Sequence, residues 1–370
     1  MRKTTFGKHH FAALLLASLL IVSACGAGGG TAPAAKSENP PTGVQPAAAG
    51  TAKSEPAKTV KLKVGHLKSI SDAPIYIAIE KGYFKQQNLD VEDVAFETGA
   101  DMIAPLTAGQ LDVGGGGISA GFYNALGRGF DIQVVADKGR VGSSSDYVVM
   151  MARKDLVDSG KLKSFEDLRS KKIAVVSKTG SNAAQLSVAL KKGNLTFKDV
   201  EVVEMTFPNM GTAFGSGAID VGFIPEPFVS RFVQSNLAVK WKGVNDVIPE
   251  AQTGVLFYSS KFAKESPDAA DRFMTAYLKG VRDYNDAFFK QKGFDEIVNI
   301  LTKYTTVKET ALYKQMVPAG IDPSGNINKA SLQSDYDWYK SEGLIKTDVD
   351  LSKVINTSFL EHAQKELGKY

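Results

Sequence analysis

Residues 107–114 have the sequence TAGQLDVG, and residues 215–222 have the related sequence GSGAIDVG. Each segment combines the end of a helical pattern, a glycine that can stop the helix, and a short apolar run typical of a buried strand. The repeat predicts two lobes of similar construction, each with a loop at the carboxyl end of a strand. Ligands of open α/β sheets bind at such strand ends.

Strand and helix patterns alternate on both sides of the repeat. Apolar or alternating runs predict further strands, and amphipathic runs between them predict helices. This alternation favours an α/β architecture with mostly parallel strands. The further strands are expected at residues 60–64, 91–96, 132–136, 172–176 and 200–207.

The amino-terminal residues indicate export. Basic residues precede an apolar run at 11–22, which is shorter than the about 20 residues of a membrane-spanning helix and fits a signal peptide. The sequence VSAC at 22–25 resembles a bacterial lipobox, which implies lipid attachment to Cys25. We therefore expect residues 1–24 to be a lipoprotein signal peptide. The mature protein would be anchored at the outer face of the cytoplasmic membrane, or lie in the periplasm.

Residues 25–58 form a second compositional region after the signal peptide. They are rich in Gly, Ala, Pro, Ser and Thr, which predicts a disordered linker behind the lipidated cysteine. The remaining chain is longer than one core usually supports and favours two domains. Removal of residues 1–24 takes away three basic residues and lowers the net charge from +4 to +1, which does not suggest a nucleic-acid partner.

Four motifs together resemble a known family. They are SDAPIYIA at 71–78, EKGYF at 80–84, AGQLDVG at 108–114 and IDVGFIPEP at 219–227. They are similar to the nitrate/sulfonate/taurine type of ABC-transporter substrate-binding protein, a group with relatives that resemble thiamine-pyrimidine synthase.

The resemblance implies a type II periplasmic-binding-protein fold, in which two α/β lobes are joined by two hinge strands around a ligand cleft. We expect the hinge strands near the apolar runs at 147–153 and 254–259. Lobe 1 would then contain residues 59–150 and 257–370, and lobe 2 residues 151–256.

The same resemblance implies a function outside the cytoplasm. The protein would bind a small organic solute, such as a sulfonate, a taurine-like molecule, a pyrimidine or another heterocycle. It would deliver this solute as a monomer to the permease and ATPase subunits of an ABC importer, without catalysis and without a cofactor. A solute-sensing subunit of a receptor would have the same fold and is an alternative.

Candidate ligand-binding residues begin predicted helices or follow predicted strands. Free N–H groups at a helix start favour an anion or a polar acceptor, and glycine lets the backbone approach a ligand closely. Lobe 1 offers Ser71, Asp72, Tyr76, Thr98, Gly99, Gly116, Gly117, Ser119, Lys138 and Arg140. Lobe 2 offers Ser177, Thr179, Gly180, Ser181, Asn182, Asn209, Met210 and Glu226.

The charged candidates leave the ligand open. Lys138 or Arg140 would favour an anionic group, whereas Glu226 would favour an amine or another N–H donor. A zwitterion or a heterocycle would satisfy both.

A secreted serine hydrolase is the main enzymatic alternative. Residues 117–121, GISAG, match the nucleophile elbow with Ser119 as nucleophile, but a triad also needs a histidine. The mature chain contains only His66 and His362. With Cys25 as the one cysteine, these residues also offer no metal-binding cluster.

Overall fold

The computed structural model describes residues 58–370. The predicted signal peptide, the predicted lipidation site Cys25 and the predicted linker up to residue 57 lie outside the described residues. Within the described part, no helix has the length and apolar character needed to cross a membrane.

Ten strands within residues 58–370 form two sheets. Their bounds are β1 (Val60–His66), β2 (Leu89–Ala95), β3 (Val113–Gly116), β4 (Gln133–Arg140), β5 (Val148–Ala152), β6 (Lys172–Val175), β7 (Glu201–Glu204), β8 (Val221–Pro225), β9 (Val239–Gly243) and β10 (Gln252–Tyr258).

Sixteen α-helices within the same residues cover the sheets. They are α1 (Ala73–Glu80), α2 (Tyr83–Gln86), α3 (Ile103–Thr107), α4 (Ala120–Gly127), α5 (Lys154–Asp158), α6 (Ser181–Lys192), α7 (Phe207–Ser216), α8 (Phe228–Gln234), α9 (Val244–Val247), α10 (Ser260–Glu265), α11 (Pro267–Lys290), α12 (Phe294–Tyr304), α13 (Thr310–Tyr313), α14 (Lys329–Ser341), α15 (Leu351–Val354) and α16 (Ser358–Leu367). Short 3-10 turns occupy Ile70–Asp72, Gly99–Met102, Phe165–Leu168 and Phe197–Asp199.

The two sheets have the same construction, which confirms the predicted two-lobed α/β fold. The strand orders are β2-β1-β3-β10-β4 and β7-β6-β8-β5-β9. In each sheet the first three strands run parallel, and the fourth is antiparallel to both of its neighbours. Four of the five strands in each sheet therefore point the same way, as expected, and the sheet is mixed only because it receives one reversed strand directly after a passage from the other lobe.

The Asp-Val-Gly repeat marks equivalent positions in the two sheets. Val113 pairs with Val64 of β1, and Val221 pairs with Ile173 of β6. Each aspartate also accepts a hydrogen bond from the neighbouring strand: Asp112 Oδ2 from the Lys63 amide at 2.8 Å, and Asp220 Oδ2 from the Lys172 amide at 2.9 Å. The motif occurs twice because it joins the same strands in the same way in each sheet.

The chain passes between the sheets twice, from β4 to β5 and from β9 back to β10. The apolar runs that we expected to be the hinge strands are the inner strands β5 and β10, and the passages lie just before them, at 141–147 and 244–251. A continuous apolar run is the pattern of a strand that is buried on both faces, as β5 is. Lobe 1 is therefore defined as residues 58–140 and 252–370, and lobe 2 as residues 148–243.

Asp335 on α14 is a buried carboxyl whose pKa is raised by desolvation from 3.8 to about 7. The folded chain therefore holds a proton between pH 4 and 7 that the unfolded chain has released, so stability falls as pH rises through this window. Asp335→Asn removes this titrating group, so we expect the free energy of unfolding to depend less steeply on pH, by up to about 1.4 kcal/mol per pH unit. Urea unfolding between pH 5 and 8 measures this dependence. Asp337→Asn, on the exposed face of the same helix, should keep the parental profile.

Candidate functional site

A cavity of about 80 Å³ lies between the two lobes. Its wall combines hydroxyl, amide and glycine residues with apolar side chains, and apolar atoms make up most of its accessible surface. Lobe 1 contributes Leu67, Ser69, Ser71, Glu97, Thr98, Gly99, Ala100, Gly116, Gly117, Ser119, Lys138, Thr253 and Gly254. Lobe 2 contributes Val148, Val176, Ser177, Gly180, Ser181, Asn182, Gln185, Phe207 and Pro225, and Tyr147 comes from the first passage.

Most of the residues predicted from the sequence line this cavity. They are Ser71, Thr98, Gly99, Gly116, Gly117, Ser119, Lys138, Ser177, Gly180, Ser181 and Asn182. The structure places Asp72, Tyr76, Arg140, Thr179, Asn209, Met210 and Glu226 outside the lining. The predicted loops thus meet at one place, although several of their side chains point elsewhere.

Helix starts supply the cavity with backbone donors. The lining includes Gly99 and Ala100 in the 3-10 turn before α3, and Ser181 and Asn182 at the start of α6. First-turn N–H groups have no acceptor within their own helix and favour a negative or acceptor-rich group. The helix starts of both lobes can therefore donate hydrogen bonds to an oxyanion in the cavity.

Lys138 carries a positive charge in the cavity wall and is balanced by a carboxylate beneath it. Its Nζ lies 2.7 Å from Asp72 Oδ1, and both side chains are at most 1% exposed. Nζ also donates to Ser71 Oγ at 3.1 Å. The other Asp72 oxygen accepts hydrogen bonds from the amides of Ser69 and Leu67, at 2.8 and 3.2 Å. Asp72 thus holds the lining loop and Lys138 in place.

Two glycines of lobe 1 permit close approaches in this region. A Cβ on Gly115 would lie 2.6 Å from Cδ and Cε of Lys138, so the missing side chain leaves room for the lysine stem. A Cβ on Gly117 would lie 2.4 Å from Oγ of Ser181 in lobe 2. Gly117 therefore sets how closely α6 can approach lobe 1.

Hydroxyl pairs complete the polar wall. Tyr147 Oη and Thr253 Oγ1 are 2.7 Å apart, and Ser69 Oγ and Ser71 Oγ are 2.8 Å apart. Burial raises the pKa of the Tyr147 phenol, so it stays protonated and can donate. Each hydroxyl can turn its hydrogen toward an acceptor on a solute.

The lobes contact each other on two sides of the cavity. The Ala120 amide donates to the Thr179 carbonyl at 2.9 Å, and the Ile70 amide donates to the Glu226 carbonyl at 3.2 Å. These interlobe hydrogen bonds show that the lobes are closed over the cavity. Thr179 takes part through its backbone.

The remaining predicted residues have structural partners. Arg140 forms an ion pair with Asp322 at 2.9 Å, and the Glu226 carboxylate accepts from the Ser230 amide and hydroxyl at 2.9 and 2.8 Å. Burial raises the pKa of Glu226. Tyr76 Oη lies 2.9 Å from His66 Nδ1. Asn209 is exposed on α7, and Met210 is in the lobe 2 core.

Ser119 has a capping position rather than the environment of a nucleophile. Its Oγ accepts from the Phe122 amide at 3.4 Å, at the start of α4. His66 lies against Tyr76 and Asp93, and the half-exposed His362 lies near Asp271. In the described chain, neither histidine is paired with Ser119.

Several lining residues were not predicted from the sequence, among them Ser69, Glu97, Tyr147, Gln185 and Thr253. Gln185 follows Ser181 by one helical turn on α6, so helical periodicity could have identified it. Thr253 belongs to a strand that reaches the site only through the sheet order, which the sequence does not reveal.

Comparison with known proteins identifies relatives. The model of a family described as NMT1/THI5 like matches residues 70–286. A Bacillus subtilis (strain 168) protein named as an aliphatic sulfonates-binding protein is 24% identical over 323 residues, which cover 83% of this chain and 89% of the relative. A 4-amino-5-hydroxymethyl-2-methylpyrimidine phosphate synthase of Candida albicans (strain WO-1) is 27% identical over 225 residues, or 57% of this chain and 62% of the relative.

Solved structures show the same fold. The nitrate-binding protein NrtA from Synechocystis PCC 6803 matches with a TM-score of 0.69 at 14% identity, covering 85% of this chain and 90% of NrtA. The alkanesulfonate-binding protein SsuA from Xanthomonas axonopodis pv. citri, solved with MOPS, matches with a TM-score of 0.66 at 18% identity, covering 82% of this chain and 100% of SsuA. These likenesses support the periplasmic-binding-protein fold.

Proposed function

Because the chain belongs to the NMT1/THI5-like family, we propose that it is an extracytoplasmic binding protein that captures a small organic solute and passes it to an ABC importer. The observation that carries this proposal is the interlobe cavity, with helix starts from both lobes and the Lys138 ammonium in its wall. Binding requires no covalent step. The permease and ATPase subunits are the proposed partners, and lipid attachment at Cys25 is the proposed anchor.

The proposed ligand has an acceptor-rich head group such as a sulfonate. The head group would lie near Ser181, Asn182 and Lys138, where hydroxyl, amide and ammonium donors meet. An organic part would lie against the apolar wall formed by Val148, Val176, Phe207 and Pro225.

A zwitterionic solute is a second candidate. Glu97 also lines the cavity, and the Lys138 charge is already balanced by Asp72. The lining together with Asp72 therefore carries one negative charge in excess, which suits a ligand that has an amine as well as an anionic group.

A thermal-shift panel tests these proposals. The probes are ethanesulfonate, 2-aminoethanesulfonate, MOPS, nitrate and 4-amino-2-methylpyrimidine. We expect at least one sulfonate to raise the melting temperature, since a ligand at about 1,000 times its Kd stabilises the folded state by about 4 kcal/mol. Asn182→Ala should weaken the shift, because it removes a buried polar side chain of the wall.

The matched control is Asn209→Ala, which removes the same side chain from an exposed position on a lobe 2 helix outside the cavity. It should leave the shift unchanged. The proposal would be refuted if no probe raised the melting temperature. Equal loss in the two variants would exclude Asn182 as a ligand contact.

A further inference from the structure

Outside the cavity, lobe 2 and lobe 1 pack together through α6 and α14. Ala183 and Ala184 of α6 are at most 2% exposed and belong to the same apolar cluster as Leu332, Tyr336 and Tyr339 of α14. Small residues on α6 let the two helices approach closely. This contact is apolar, whereas Ser181 and Asn182 bring hydrogen-bonding groups to the cavity.

An aromatic contact extends the same interface. Phe197, in the 3-10 turn after α6, has its ring centre 6.1 Å from that of Trp338 on α14, with a 43° angle between the planes. Trp338 is 7% exposed. Because Phe197 belongs to lobe 2 and Trp338 to lobe 1, this pair can exist only when the lobes are together.

The helix that makes this contact also forms the cavity wall. The first turn of α6 provides Ser181 and Asn182 to the lining, and the following residues, Ala183 and Ala184, face α14. Docking on α14 thus fixes where the first turn of α6 lies. A shift of this helix would displace donors on the lobe 2 side of the cavity.

We infer that Trp338 and Phe197, with Ala184 beside them, form an interlobe latch that positions the first turn of α6 at the solute site. This inference rests on the proposed function, because it assigns the latch to closure over a solute. Trp338 and Phe197 are positioning residues and have no place in the cavity lining.

Closing the latch has a free-energy cost, which favours its reopening. Trp338 Nε1 is buried without a hydrogen-bond partner in the described chain. A buried donor without a partner costs free energy, which offsets part of the apolar gain of this contact. An interface that is apolar but carries one unsatisfied donor can open when the solute leaves.

Tryptophan fluorescence tests the latch without any solute. The chain has two tryptophans, so Trp241→Phe leaves Trp338 as the only reporter. In that background we expect Phe197→Ala to shift the Trp338 emission to longer wavelength and to raise its acrylamide quenching several-fold. The radius of gyration from small-angle X-ray scattering should increase as the lobes separate.

Phe289→Ala is the control, since it removes a 39% exposed phenylalanine of lobe 1 away from this contact. It should change neither readout. Ala184→Glu provides a second variant, because it places a charge in the α6–α14 contact. Far-ultraviolet circular dichroism should show both latch variants to be folded.

Unchanged emission and quenching in both latch variants would overturn the inference. Greater quenching with an unchanged radius of gyration would also overturn it, because the contact would then not govern lobe separation. Failure of the proposed function has a different signature: the solute panel would give no thermal shift, while these solute-free measurements would still show the latch.

Discussion

Gly117→Ala should lower solute affinity by about 10- to 100-fold while leaving the protein folded, in line with the about 1–3 kcal/mol typical of overpacking. The added Cβ would lie 2.4 Å from Ser181 Oγ and 3.3 Å from Ser181 Cβ. Rotation of the Ser181 hydroxyl can relieve the first contact, but the contact with Ser181 Cβ remains. Because the two residues belong to different lobes, relief of this second contact requires the lobes to move slightly apart. Gly117 does not have a positive φ, and alanine therefore meets no backbone strain there. Titration calorimetry with a solute that stabilises the parent protein provides the measurement.

A second substitution separates this steric effect from general damage. Because the Ser181 hydroxyl is also a proposed ligand contact, Ser181→Ala is measured alone as well. Adding Gly117→Ala to Ser181→Ala should cost less affinity than adding Gly117→Ala to the parent protein, since the nearest clashing atom is gone. Gly121→Ala is the control, because its Cβ would meet only Ser119 Oγ, at 3.4 Å and within the same lobe. If Gly117→Ala bound the solute as well as Gly121→Ala does, lobe approach at this point would not govern binding.

The two-lobed fold could be predicted because its strongest signals are local. In each Asp-Val-Gly segment the aspartate accepts an amide hydrogen bond from the adjacent strand and the valine continues the sheet. Two copies of one local requirement predicted two equivalent sheets. The sequence signals of helix starts are also local, and for this reason Thr98 and Ser181 were correctly predicted to lie where helices begin.

The orientation of charged side chains could not be predicted in the same way. Arg140 pairs with Asp322, which is 182 residues later in the chain, and Glu226 accepts from Ser230 on the helix that follows it. A sequence shows that a charge follows a strand, but it does not show whether a distant partner will neutralise it. Of the three charged residues that left the ligand open, Lys138 and Arg140 pair with distant aspartates, and Glu226 is hydrogen-bonded by the helix that follows it.

The position of β10 explains why Thr253 and Gly254 were not predicted to line the cavity. This strand enters lobe 1 between β3 and β4 after the chain returns from lobe 2. It brings Thr253 and Gly254 to the cavity beside Gly116 and Lys138. An apolar run has the same sequence pattern in a hinge and in an inner strand, so only the sheet order distinguishes them.

Lys138→Met should destabilise the protein by about 3–5 kcal/mol, the cost of leaving a buried charge without its partner. Asp72 is fully buried, and its Oδ1 would lose the ammonium 2.7 Å away. The Ser69 and Leu67 amides would still bond Oδ2, but they do not supply a counter-charge. Urea unfolding of the variant and the parent protein at pH 7 measures the loss.

Asp72→Asn combined with Lys138→Met should recover most of this stability, because the neutral amide can still accept from Ser69 and no ion remains buried. Lys264→Met is the control: it breaks an ion pair with Asp131 whose side chains are 64% and 40% exposed, and such pairs contribute about 1 kcal/mol or less. Equal losses in Lys138→Met and Lys264→Met would contradict the role assigned to the buried pair. The double variant also tests solute recognition. If it is stable but binds a sulfonate weakly, the Lys138 ammonium contacts the solute.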